Sequence, residues 1–316
     1  MRLCAFVANT MKKEFYSNGK LLITGEYLVL DGAKAFALPT KFGQNLIVEE
    51  GDNQEIKWTS HDLDGSIWFE DAFLFTEISK NNTLDKTEST RNTLLKILHE
   101  AYLLNPDFII NQSRGYIVTT QLTFPRNWGL GTSSTLINNI AQWLQIDAFV
   151  LLKNSFGGSG YDIACAQNDG PILYYLKNGK PIVEKINFDP AFSENLHFVY
   201  LDKKQSSKAA IASYYNNKNK DLVKTIAGND KITSAVLNAK TLQDFALAIE
   251  KHEAEMNTIL KMQTAKESLF PDFNGAIKSL GAWGGDFVLV ISKKNPTAYF
   301  KEKGYETILS YKDMIL

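Results

Sequence analysis

Five short segments hold residues whose types and spacing could do chemistry. The first is Pro125-Arg126-Asn127-Trp128-Gly129-Leu130-Gly131-Thr132-Ser133-Ser134. Its two glycines permit positive φ and close backbone approach to a ligand. Thr132, Ser133 and Ser134 then bring hydroxyls and free N–H groups to the start of a helix, where the dipole favours an anion. A Ser/Thr-capped helix after a glycine turn, with no ligand, accounts for the same residues. Two other nucleotide loops are excluded: no G-x-x-x-x-G-K-[ST] occurs, and the third glycine of a dinucleotide fingerprint is missing.

The second segment runs Gly157-Gly158-Ser159-Gly160-Tyr161-Asp162-Ile163-Ala164-Cys165-Ala166. A carboxylate beside a flexible loop can take a hydroxyl proton or hold a metal, and Asp162 could equally cap a short helix. In the third, Asn18-Gly19-Lys20 leads a strand towards Gly25-Glu26-Tyr27. Lys20 is either a cation within reach of phosphate or an ordinary solvated lysine. The fourth, Ser279 to Phe287 with Gly281, Gly284 and Gly285, is a tight loop before an apolar strand, or a set of amides able to close over an anion. Ser206 and Ser207, among lysines where a helix opens, suit a second anion such as an acceptor phosphate or carboxylate, or a plain cap. His61, His99, His197 and His252 show no ligand spacing, so neither zinc nor a His-centred hydrolase is indicated.

The elements that must position these residues follow from periodicity. Short β-rich runs occupy residues 14–78, with Phe15-Tyr16 and Leu21 to Ile23 as separate strands. Residues 79–90 are polar and predict an exposed loop. Leu94, Leu95, Leu98, Ala101 and Tyr102 recur at helical spacing until Asn105-Pro106. Tyr116 to Leu122 predicts a strand, followed by the glycine loop and a helix burying Leu136, Ile137, Ile140, Ala141 and Leu144. Asn178-Gly179 marks a hairpin. Beyond Asp189-Pro190 the pattern is mostly helical, with strands at Leu196 to Leu201, Phe287 to Ile291 and Ile308 to Tyr311. A mixed α+β chain with a boundary near residue 190 is expected.

Composition narrows the class. At 316 residues the chain exceeds one comfortable core, so two domains are expected. A net charge of −1 lacks the basic excess that nucleic-acid binding needs. No apolar run is long enough to cross a bilayer, and two cysteines suit a reducing cytoplasm without a disulfide framework. The first ten residues read as an upstream mis-start or an extension, with Met11-Lys12-Lys13 the more natural start. The expectation is a cytoplasmic protein, monomer or homodimer, acting on a small molecule, with neither nucleic acid nor membrane as partner.

Taken in order, the Gly-Lys strand with Gly25-Glu26-Tyr27, the central Gly129 to Ser134 loop, Ser159-Gly160-Tyr161-Asp162 and the late Gly284-Gly285-Asp286 resemble the GHMP kinase superfamily over about Phe15 to Ile291. The motif style is similar to phosphomevalonate kinases, and Gly160-Tyr161-Asp162-Ile163-Ala164 resembles a GYDIA-type bacterial subgroup. The resemblance implies an α+β, two-domain fold: an N-terminal ATP-binding half like ribosomal protein S5 domain 2 over 12–190, and a ferredoxin-like half over 191–316. It implies ATP and Mg²⁺ as cofactors. Gly129, Leu130, Gly131, Thr132, Ser133 and Ser134 would wrap the phosphates, with Ser133 reaching the metal. Asp162 would orient or deprotonate the acceptor hydroxyl, and Lys20 would sit near the transferred phosphate. Glu26, Ser159, Gly160, Ser206, Ser207, Gly284 and Gly285 would contact the acceptor, with mevalonate or phosphomevalonate favoured and a sugar or amino-alcohol as fallback. An ATP-dependent decarboxylase or a silent nucleotide-binding regulator on the same scaffold are the alternatives. Three positions depart from the family pattern: Asn18 replaces the usual Pro, Trp283 a small residue, and Leu151 the metal-binding Glu of mevalonate kinases.

Overall fold

The computed structural model describes residues 12–80, 89–112, 114–203, 214–216, 221–281, 283 and 285–316. The first ten residues, most of the predicted 79–90 loop, Ser206, Ser207 and Gly284 lie outside them. The architecture is α+β with two sheets, as the resemblance implied. The described residues fall into two compact units, both discontinuous in sequence. One gathers the chain up to Ser17, Gln44–Pro125 and Thr135–Gly157, and the other gathers Asn18–Gly43, Arg126–Ser134 and Gly158–Leu316. The expected change of character near residue 190 falls inside the second unit.

In the first unit, strand β3 (Glu55–His61) pairs antiparallel with β4 (Ile67–Leu74) and parallel with β5 (Gly115–Leu122). The last part of β2 (Ala35–Gly51) then pairs antiparallel with β5, from Gln44↔Leu122 to Gly51↔Gly115. Period-2 burial turns Ile56, Trp58 and Ser60 of β3 inward with Val118, Thr120 and Leu122 of β5. Helix Thr90–Leu104, capped by Ser89, buries Leu94, Leu95, Leu98 and Ala101 as the spacing predicts. The body of helix Thr132–Leu144 is held by a buried polar network. Asn138 and Asn139 bond with the Ser17 hydroxyl, Asn139 Nδ2 donates to the Gln44 carbonyl, and Thr135 donates to the Gln44 side chain. Such a network is fully partnered and so fixes one arrangement.

In the second unit, β2 pairs through Ala35–Ala37 with β6 (Ile172–Lys177), and β6 turns through Asn178 and Gly179 into β7 (Lys180–Lys185). Both turn residues have positive φ, the type I′ requirement behind the Asn-Gly hairpin signal. A four-stranded antiparallel sheet runs β11 (Ile308–Ser310), β8 (Leu196–Tyr200), β10 (Phe287–Ile291), β9 (Ala276–Ser279). Both faces of β10 are buried. Val288 and Val290 meet Phe270, Phe273 and Phe300, whereas Leu289 lies with Phe198 against Ile23, Phe36 and Phe245. Helices Leu222–Asn238 and Leu242–Leu260 supply the long helical stretch.

One difference from the sequence reading bears on the site. Phe15-Tyr16 and Leu21 to Ile23 belong to a single strand, β1 (Lys13–Thr24). Gly19 inside it is a point of close approach rather than a turn: a Cβ there would lie 2.7 Å from Thr40 Oγ1 and 2.8 Å from the Leu130 carbonyl. Any side chain at residue 19 would push the strand off the glycine loop.

Candidate active site

The Gly129–Ser134 loop is built from both of its flanks. Upstream, a 3-10 turn over Arg126–Trp128 places the Trp128 ring 5.4 Å from those of Phe42 and Phe287, while the Tyr200 hydroxyl donates to the Asn127 carbonyl at 3.1 Å. Gly129 and Gly131 adopt φ of +68° and +102°, conformations that disfavour side chains. Leu130 between them is fully buried and anchors the bend. Downstream, the helix starts at Thr132, and Ser134 Oγ donates back to the Gly131 carbonyl at 2.9 Å. Ser133 is exposed and Thr132 partly so, whereas Ser134 and Thr135 are buried.

Lys20 is tied to this loop twice. Its backbone N–H donates to the Leu130 carbonyl at 3.0 Å and its Nζ to the Gly129 carbonyl at 2.8 Å. The solvated-surface reading of Lys20 therefore fails. A Cβ added to Gly131 would sit 3.4 Å from Lys20 Cγ and 2.8 Å from Ser134 Oγ, so the loop is already filled to the glycine limit. Asp162 is the second residue of the short helix Tyr161–Ala166, whose N-cap position is held by Gly160 at φ +93°, so it does not cap that helix. It accepts from the Ile163 N–H at 3.1 Å. Burial pushes its carboxyl pKa up, while the nearby positive charge of Lys20 pulls the other way. Lys20 and Asp162 thus feel each other's charge. Ser159 accepts the Tyr174 hydroxyl on its carbonyl, and Gly160 is buried.

Glu26, expected as an acceptor contact, sits in a buried ion cluster. It is 3% exposed and ion-paired with the fully buried Lys278. Lys278 Nζ also donates to Glu253 Oε1 at 3.1 Å and to the Ser279 carbonyl at 2.7 Å, and lies 5.5 Å from the Trp283 ring. Burial pushes the Glu26 carboxyl up to about 7, against the pull of Lys278. For Lys278, burial acts to lower the pKa, but the carboxylates of Glu26 and Glu253 outweigh it and the ammonium is held. His252 Nε2 accepts from the Gly25 N–H at 3.2 Å, and burial followed by Lys278 drives its pKa well below the usual value, so the ring is neutral. This cluster joins the Gly25–Tyr27 turn to the late loop from inside.

The late loop itself presents Asp286 to the glycine bend. A Cβ on Gly129 would collide with the Asp286 carboxylate, and one on Gly281 would lie 2.7 Å from its Oδ2. Gly285 is buried, and Trp283 is 2% exposed with φ +45°, donating its Nε1–H to the Gln263 carbonyl.

The mevalonate kinase of Methanococcus jannaschii superposes with a TM-score of 0.67 at 17% identity, covering 96% of this chain and 97% of that one. Streptococcus pneumoniae phosphomevalonate kinase, in complex with phosphomevalonate and AMPPNP, gives 0.66 at 16% identity over 92% and 95%. Lactococcus lactis galactokinase complexed with galactose gives 0.66 at 13% identity over 96% and 94%. The chain has the GHMP kinase fold. No protein-family model and no curated protein sequence matches it.

On this GHMP fold, two positive-φ glycines stand beside the start of a helix with the Lys20 amine on the Gly129 carbonyl, groups that suit a polyphosphate. For Mg²⁺ the protein donors are sparse. Among the described residues no three His, Cys, Asp or Glu side chains gather to hold a metal. Such sparseness suits Mg²⁺, which is usually held by phosphate oxygens, water and one or two carboxylates. Among the described residues, no helix is long and apolar enough to cross a membrane. The residues that sequence reading missed are Lys278, Glu253, His252 and Asp286 as a positional set, and Trp128 and Tyr200 as loop anchors. Their one visible signal was Asp286 inside a glycine motif.

Proposed function

We propose that this protein is an ATP- and Mg²⁺-dependent small-molecule kinase that transfers the γ-phosphoryl group to a hydroxyl or phosphate acceptor, with mevalonate or phosphomevalonate favoured. The observation that carries the reading is the convergence of Lys20 on the Gly129 carbonyl with Asp162 in its electrostatic field. The loop from Gly129 to Ser134 would cradle the nucleotide phosphates, with Ser133 on the metal side. Lys20, held at the loop rim, would face the outermost phosphoryl group and stabilise its charge. Asp162, its carboxyl raised by burial against the pull of Lys20, would accept the acceptor's proton. Bound Mg²⁺ supplies charge neutralisation on the phosphate oxygens. Ser159 and Gly160, beside Asp162, and Gly285 in the late loop would line the acceptor side. The halves 12–190 and 191–316 would correspond to the two domains of the family, in a cytoplasmic monomer or homodimer.

A second reading, a nucleotide-binding protein without turnover, draws on one observation. Leu151, at the position of the mevalonate kinase glutamate, is fully buried, so no carboxylate enters from helix Ala148–Ser155 there. An acceptor panel of mevalonate, phosphomevalonate, hexoses and amino-alcohols, scored by ADP release, separates the two. Turnover on one acceptor is expected. Asp162→Ala and Lys20→Met should each lower it by about 10²–10⁴-fold while the melting temperature holds. Wild-type turnover in both variants would overturn the role assignments, and nucleotide binding with no turnover on any acceptor would favour the second reading.

A further inference from the structure

Asp286 has a setting that the kinase reading leaves unused. Its backbone is clamped on both sides: its N–H donates to the Lys203 carbonyl at 2.9 Å, and its own carbonyl accepts from the Leu201 N–H at 2.7 Å. The clamp comes from the end of β8 and holds the residue at φ +50°. Held so, the carboxylate lies against the Cα of Gly129, and a side chain at either Gly129 or Gly281 would displace it. Two glycines more than 150 residues apart thus clear room around one carboxylate. Lys20 meets the same Gly129 at its carbonyl. Gly129 therefore sits between a fixed amine and a fixed carboxylate.

On the kinase reading, on which this inference rests, a nucleotide polyphosphate lies on that glycine bend. A carboxylate beside it repels the phosphates if they arrive alone. A divalent cation between them reverses the sign, because it attracts both anions. Ser133 contributes only a neutral hydroxyl and Leu151 no charge, and Asp162 is assigned to the acceptor's proton, whereas the Asp286 carboxylate is seated at the bend itself. We propose that Asp286 is the carboxylate ligand, direct or through water, of the divalent cation that enters with the nucleotide. The loop thereby selects metal-complexed over metal-free nucleotide.

Asp286→Asn tests this, because Asn keeps the shape and tolerates positive φ. Titration calorimetry with ATP plus EDTA, and separately with Mg-ATP, reads the two ligand forms. The wild type should prefer Mg-ATP. The variant should bind metal-free ATP on the order of tenfold tighter and Mg-ATP on the order of tenfold more weakly. Mn²⁺ retained by the protein–nucleotide complex, followed by its paramagnetic resonance signal, should fall in parallel. Opposite shifts are the signature, since mere loosening of the loop would weaken both forms together. Equal changes for both forms, with wild-type Mg-ATP binding intact, would overturn this assignment and leave the kinase reading standing. If the wild type bound neither form, the two would fall together.

Discussion

Replacing Lys278 by Met should unsettle the protein far more than loss of a surface lysine. Methionine nearly matches the length of the lysine stem, so packing volume changes little and the lost charge dominates. Lys278 has no solvent exposure, and its two carboxylate partners Glu26 and Glu253 are each 3% exposed. Removing one partner from a buried ion cluster costs about 3–5 kcal/mol, because the remaining charge is stranded. The cation over the Trp283 ring adds a further ~1 kcal/mol, part of which a methionine sulfur recovers. A total near ~4 kcal/mol is a large share of the 5–15 kcal/mol typical of whole-domain stability, and corresponds to roughly 10 °C in melting temperature. Urea unfolding at pH 8 checks the figure. The loss should shrink at pH 5.5, because Glu26 already titrates near about 7 with Lys278 present and would take a proton still more readily without it. Adding Glu26→Gln and Glu253→Gln to Lys278→Met should restore at least half of the loss, since no buried charge is then left alone. A Lys278→Met protein within ~1 kcal/mol of wild type, or a triple variant no better than the single one, would refute the reasoning.

Other outcomes follow from the same geometry. Gly131→Ala has to hold φ +102° and place its Cβ 2.8 Å from Ser134 Oγ, so it should cost about 1–3 kcal/mol by chemical denaturation and weaken nucleotide binding in a thermal-shift titration. Glu26→Gln should alter the pH dependence of stability with a defined sign. The folded pKa of about 7 lies above the ordinary 4.5 of a glutamate, so folding takes up a proton between them, and this group's stabilisation, full below about 4.5, is lost as pH rises towards 7. The melting temperature of Glu26→Gln relative to wild type should therefore climb from pH 5 to pH 8. A flat difference would count against the buried carboxyl. His252, whose lowered pKa costs stability as pH falls below 6.5, is present in both proteins and largely cancels.

Much of the scaffold was legible because local signals agreed with tertiary ones. The Asn178-Gly179 hairpin, the Leu94–Ala101 stripe and the apolar Phe287–Ile291 strand each carry a period or a turn chemistry that only one conformation satisfies. Lys20 was ambiguous for a physical reason: nothing in a lone Gly-Lys says whether its amine points to water, and the deciding Gly129 carbonyl arrives from 109 residues away. The split of β1 into two strands failed because Gly19 reads as a break locally, whereas the close approach of Leu130 and Thr40 demands it. The ion pair of Glu26 was hidden for a similar reason: its cation, Lys278, lies 252 residues further along in a strand whose other members are apolar or small. Buried ion clusters assembled from distant segments leave no periodic trace, so Glu253 and His252 looked like ordinary helix residues.

The interleaved ownership of the chain by its two units has a consequence for biosynthesis. Segments 44–125 and 135–157 can complete their shared unit once residue 157 has left the ribosome, yet Asn18–Gly43 and Arg126–Ser134 belong to the unit that also needs residues 158–316. Thr40 must wait for a bridge to Ile315, and Glu26 for Lys278. A nascent chain halted at mid-length would therefore hold Glu26 with its cation still unmade.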